Sequence, residues 1–121
     1  MSENCYTEYF LSLFSQTYLF HWCTPKYAEH MSLDKLLNKL KEHIDKFVEI
    51  YLAKFNKQPV QPFNISMKAS SDCSDIIGYY ETQIDNLKKI KNALKTAPEL
   101  QGIVEGMVGD INQAIYVMKL V

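Results

Sequence analysis

Two imidazoles and three carboxylates, His21, His30, Asp34, Asp45 and Glu49, stand within residues 21–49. Nitrogen and oxygen donors of this kind suit Fe(II), Zn(II) or Mn(II). If residues 28–55 form a helix, each residue turns by about 100°, so His30, Asp34, Asp45 and Glu49 fall at about 0°, 40°, 60° and 100° on one stripe. The apolar residues Leu33, Leu37, Leu40, Ile44, Val48 and Tyr51 lie beside it, so the donors border the buried face. With only Lys41 near the stripe, these groups are costly to desolvate unless a cation is shared among them.

One ion cannot use them all from a single chain. His30 and Asp45 are roughly 22 Å apart along a helix axis, whereas ligand bonds are about 2.0 to 2.6 Å. The chain therefore offers two half-sites, one made of His21, His30 and Asp34 and one of Asp45 and Glu49. Antiparallel packing against a second copy about a twofold axis would bring opposite halves together twice. The expectation is a homodimer through the first two helices, with two shared sites.

The pair His21-Trp22, followed by His30, Asp34, Asp45 and Glu49 at spacings of three, ten and three intervening residues, resembles the ferroxidase signature of the Dps miniferritins. Short ferritin-like proteins of bacteriophages and large DNA viruses are similar too. The likeness is strongest over residues 6–55 and rests only on helix pattern beyond them. It implies an all-α, ferritin-like four-helix bundle that oxidises Fe(II) with peroxide or oxygen, possible substitutes for iron being Zn or Mn. His21 and His30 would anchor the ion, Asp45 and Glu49 of the mate would complete its shell, and Asp34 would bind a second ion or orient a ligand. It also implies a larger cage such as a dodecamer. The alternative is a non-catalytic structural or interaction protein of a virus or phage.

The elements that must position these groups can be read from period and breakers. Tyr6, Phe10, Leu13, Phe14, Thr17, Tyr18 and His21 predict a first helix over about 4–22 that points His21 inward. Thr24 and Pro25 stop it, and a short turn leads to an antiparallel second helix over about 27–55. Residues 56–72, with Pro59 and Pro62, are long enough to cross over, so that the third helix runs parallel to the second. Ser71 or Ser74 would cap that third helix, about 74–95, with Asp72 and Asp75 near its positive end. Its stripe is Ile77, Tyr80, Ile84, Leu87, Ile90 and Leu94. Pro98 opens a fourth helix, about 98–120, burying Leu100, Ile103, Val104, Met107, Ile111, Ala114, Ile115 and Met118. Gly102 and Gly106 lie one turn apart and would let a neighbour approach.

Composition bounds the rest. A chain of 121 residues is one domain. Its net charge is -1 and all 13 cationic side chains are lysine; the absence of arginine and of a basic arm argues against nucleic-acid binding beyond weak contact and against a DNA-protecting role. Cys5, Cys23 and Cys73 are odd in number and widely spaced, which reads as reduced thiols in a cytoplasmic setting, and in a host's cytoplasm or a virion if the chain is viral. The apolar run from Phe10 to Trp22 is too short and too interrupted for a membrane span. A lone histidine is usually structural, and it is the five residues together that favour metal. His43, about 220° around the second helix from His30, should face solvent. Trp22 should pack, Cys23 should be a small helix-end residue before it is a ligand, and Lys88, Lys89, Lys91 and Lys95 should form a solvated face.

Overall fold

The computed structural model describes residues 5–57, 62–67 and 70–120. Among them are four α-helices and no strand: α1 (Cys5–Cys23), α2 (Tyr27–Lys54), α3 (Ile76–Ala93) and α4 (Pro98–Met118), with a 3₁₀ turn, Ser70–Asp75, leading into α3. The chain is an all-α four-helix bundle. None of the helices is long and apolar enough to cross a membrane.

Side-chain contacts fix the directions. Ser32 reaches Ala114, Lys39 reaches Gln113 and Lys54 reaches Glu99, so α2 and α4 are antiparallel. Lys91 pairs with Glu105, and Gln101 donates to the Lys91 carbonyl, so α3 and α4 are antiparallel as well. Cys23 at the end of α1 touches Cys73 just before α3, while Tyr9, far earlier on α1, meets Gln83 further along α3. α3 therefore runs against α1 and parallel to α2, so the end of α2 and the start of α3 stand at opposite ends of the bundle. Between Lys57 and Ser70 the described residues are 62–67.

The core is built where the four apolar stripes meet. All eight residues expected on α4 are buried, including Leu100, Val104, Met107 and Ile111 at 0 % exposure. Pro98 opens this helix, where its missing N–H costs nothing. On α3, Tyr80 and Leu87 are fully buried, but Ile76 and Gln83 take the places expected of Ile77, Ile84 and Ile90, which are half-buried. The cap of α3 is Asp75, whose Oδ1 accepts from Gly78 N–H at 3.0 Å, and not Ser74; the Ser71 and Asp72 side chains lie outside what is described.

α1 departs most from expectation. Its inner face is Tyr6, Phe10, Leu13, Thr17 and Phe20, all buried, whereas Tyr18 is 40 % exposed and Trp22 is 71 % exposed. Trp22 therefore does not pack into the core; among the aromatic pairs of the described residues its ring meets that of Tyr18, at 5.3 Å. α1 carries large apolar residues nearly all round, so its period does not single out one face. Against α3 it presents rings and hydroxyls: Phe20 meets Tyr79 and Tyr80, and the buried Tyr80 hydroxyl donates to Thr17 Oγ1 at 2.6 Å, which donates to the Leu13 carbonyl.

Candidate metal half-site

His21 and His30 face each other across the turn between α1 and α2. The turn is organised by Thr24, whose hydroxyl donates to Glu29 Oε1 at 2.6 Å and accepts from Lys26 N–H at 3.2 Å. Glu29 is only 5 % exposed, and this bond supplies its carboxylate with a donor. As a carboxylate in the first turn of α2, it also complements the positive end of that helix. The turn thereby sets the last residues of α1 beside the first of α2.

In that register the two histidines bind reciprocally. His21 Nδ1 lies 3.0 Å from the His30 carbonyl, and His30 Nδ1 lies 2.8 Å from the His21 carbonyl. A carbonyl can only accept, so each Nδ1 must carry a proton, and the lone pair of each neutral ring is left on Nε2. Donation from the far nitrogen to a carbonyl is how metal-binding histidines are commonly oriented. The rings stack, with centroids 4.0 Å apart and planes 17° from parallel.

That stacking changes the expected division of labour. An ion bound to imidazole lies in the ring plane about 2.0 to 2.1 Å from nitrogen, and planes so nearly parallel do not meet within that distance. The two rings as arranged do not converge on one ion; each offers its own. His21 Nε2 is 3.9 Å from Asp34 Oδ1, slightly less than two ligand bonds of about 2.1 Å laid end to end. Asp34 thus joins His21 in a pair that one cation fits between. His21 is largely covered and Asp34 largely exposed, at 14 % and 56 % for their side chains, so the pair opens to solvent on one side.

Asp45 and Glu49 are exposed on α2, roughly 22 Å and 28 Å from His30 along the helix axis at 1.5 Å per residue. The single chain does not bring them to the histidines. Among the described residues no group of three His, Cys, Asp or Glu side chains converges on a metal position.

Two further pairings were hidden from sequence reasoning. His43 does not face solvent: it is half-buried between α2 and α4, with Nδ1 2.8 Å from Asp110 Oδ2, both atoms shielded from water and facing each other. A helix in a four-helix bundle has two neighbours, and the arc taken as solvent-facing is the one α4 covers. Gly106 makes room there, since a Cβ on it would lie 2.9 Å from His43 Nε2. Cys23 and Cys73 are not free thiols. Their sulfurs are joined, with Cα atoms 6.6 Å apart across 50 residues of sequence, a separation usual for disulfides. The pairing was invisible because the return of the chain, and not spacing, brings Cys73 back to the end of α1. Of the four lysines expected in solvent, Lys91 is half-buried and paired with Glu105, and the other three are exposed.

No curated protein and no solved structure matches the chain. One family model does, over residues 21–118, a span that opens on His21 and takes in all five candidate ligands. The chain belongs to that family, a family of unknown function designated DUF5856.

Proposed function

We propose that this chain binds Fe(II) as a substrate and oxidises it, in the manner of a small ferritin-like protein, at a site completed by a second copy. The observation that carries this is the reciprocal bonding of His21 and His30, which commits both Nδ1 protons to carbonyls and leaves both Nε2 atoms for metal, that of His21 beside Asp34. Without a second proton or a cation in the gap, the His21 lone pair and the Asp34 carboxylate would repel. The donors fit Fe(II) and equally Zn(II) or Mn(II). Asp45 and Glu49 of a twofold-related copy supply the remaining oxygens. The surface that would meet that copy includes the outer stripe of α1, where Leu11, Tyr18 and Trp22 are exposed.

In this reading His21 with Asp34 holds one ion and His30 holds its neighbour. The carbonyl bonds keep both rings in orientation while the carboxylates of the second copy neutralise charge as Fe(II) becomes Fe(III). Two Fe(II) ions give one electron each to hydrogen peroxide, which takes up two protons and leaves as two waters. Protons compete for Nε2, so metal affinity falls as pH is lowered.

The test is anaerobic Fe(II) titration followed by peroxide, on the natural chain, on His30→Ala, on Glu49→Ala and on the two variants mixed. Each variant alone should lose oxidation. Random mixing makes half the dimers mixed, each with one intact site of its two, so about one quarter of the activity should return. Oxidation by both single variants at the natural rate would overturn the proposal in favour of a non-catalytic structural or interaction protein.

A further inference from the structure

We infer that Cys23 and Cys73 form a reversible thiol–disulfide couple, oxidised by peroxide and reduced by small thiols, and independent of the metal half-site. The two sulfurs meet in bonding contact although 50 residues separate them, and both residues are half-buried, within reach of small reagents. Neither belongs to the packed centre of the bundle. Cys23 is the last residue of α1, and Cys73 rides on the short 3₁₀ turn Ser70–Asp75, whose neighbours are α1 and the start of α3. Opening the bond therefore disturbs one turn of chain and leaves α2 against α4, and α3 against α4, as they are. Both oxidation states are compatible with the same fold, which is what a cycling couple requires.

The two cysteines are not equivalent. Cys23 is the last residue of a 19-residue helix. Cys73 precedes the amino end of α3, where the helix field favours a negatively charged sulfur, and the nearby Asp75 carboxylate is engaged by Gly78 N–H. The thiolate that attacks is accordingly Cys73. It displaces hydroxide from hydrogen peroxide and becomes a sulfenic acid. The Cys23 sulfur then attacks that sulfur and releases the oxygen as water, so that two thiols and one peroxide give one disulfide and two waters. Two equivalents of glutathione reverse the step, leaving as glutathione disulfide.

The experiment uses the full chain carrying Cys5→Ser, reduced, freed of metal with a chelator, and treated with hydrogen peroxide. Thiol counting and non-reducing peptide maps should show two thiols lost per peroxide and a Cys23–Cys73 peptide, with both thiols restored by glutathione without denaturant. Adding Cys23→Ser should trap the sulfenic acid of Cys73 with dimedone, at roughly ten times or more the labelling seen with Cys23 present, because the neighbouring thiol no longer captures it first. Helical circular dichroism should be the same in both oxidation states. The inference is overturned by oxidation of either cysteine to sulfinic acid without a disulfide, by a disulfide that glutathione does not reduce in the folded chain, or by loss of the helical signal on reduction. Because metal is absent throughout, these outcomes are distinct from failure of iron oxidation.

Discussion

Replacing Gly106 with alanine tests the packing of α2 on α4 at a single atom. In a helix interior alanine is favoured over glycine by about 1 kcal/mol, so a site with open space should gain that amount. Gly102 and Gly109 are such sites, with nothing within 4 Å of an added Cβ. At Gly106 the same methyl would meet His43 Nε2 at 2.9 Å and Cε1 at 3.2 Å. The ring must move, and moving it strains the 2.8 Å contact of His43 Nδ1 with Asp110. Overpacking of this kind costs about 1 to 3 kcal/mol; set against the propensity gain, Gly106→Ala should lower stability by about 1 kcal/mol, and thus fall about 2 kcal/mol below Gly102→Ala. Urea unfolding monitored by circular dichroism reads both. In a His43→Ala background the obstruction is gone, and Gly106→Ala should become stabilising, a sign change that a double-mutant cycle measures directly. Equal stabilisation by Gly102→Ala and Gly106→Ala in the natural background would refute the placement of His43 between the helices.

Two other expectations concern stability. Cys73→Ser opens a covalent loop spanning 50 residues, for which chain-entropy arguments give a loss of about 4 kcal/mol in the oxidised protein and none relative to the reduced one; denaturant midpoints with and without reductant separate the two. Burial raises the pKa of the Tyr9, Tyr79 and Tyr80 phenols above the ordinary 10.0, with mutual repulsion between Tyr9 and Tyr79 adding to the rise for Tyr9. The unfolded chain then loses these protons first, so the stability they confer is complete below about pH 10 and is lost as pH rises beyond it. Tyrosinate absorbance should show Tyr9, Tyr79 and Tyr80 ionising only together with unfolding; their ionisation while the helical signal persists would contradict the burial.

What was legible in the sequence depended on how plainly each helix divides its residues. α4 has one apolar stripe and a polar remainder, and every residue expected in its core is there. α1 is apolar nearly all round, so period alone put Tyr18 inside and missed Phe20, which the tertiary packing decides. His30, Asp34, Asp45 and Glu49 do lie on one helix, as their spacing predicts, because spacing on one helix is geometry, and His21 ends the helix before it. Their grouping was less legible: the stacking of His21 on His30 follows from a turn held by Thr24 and Glu29, and no pattern of ligand types announces it. His43 was misplaced because a wheel drawn for one buried face ignores the second neighbour. The pairing of Cys23 with Cys73 depends on where the chain returns, a fact that belongs to topology and not to local sequence.

Trp22 is the chain's single tryptophan, and it stands on the surface next to His21 with most of its ring in water. The protein thereby carries a single indole fluorophore, next in sequence to His21, with no second indole to blur its signal. In an isolated chain its emission reports water. Burial of the α1 surface by another copy would move that emission toward the blue, and a paramagnetic ion at His21 would quench it, so a single optical channel would distinguish the proposed assembly from the proposed loading.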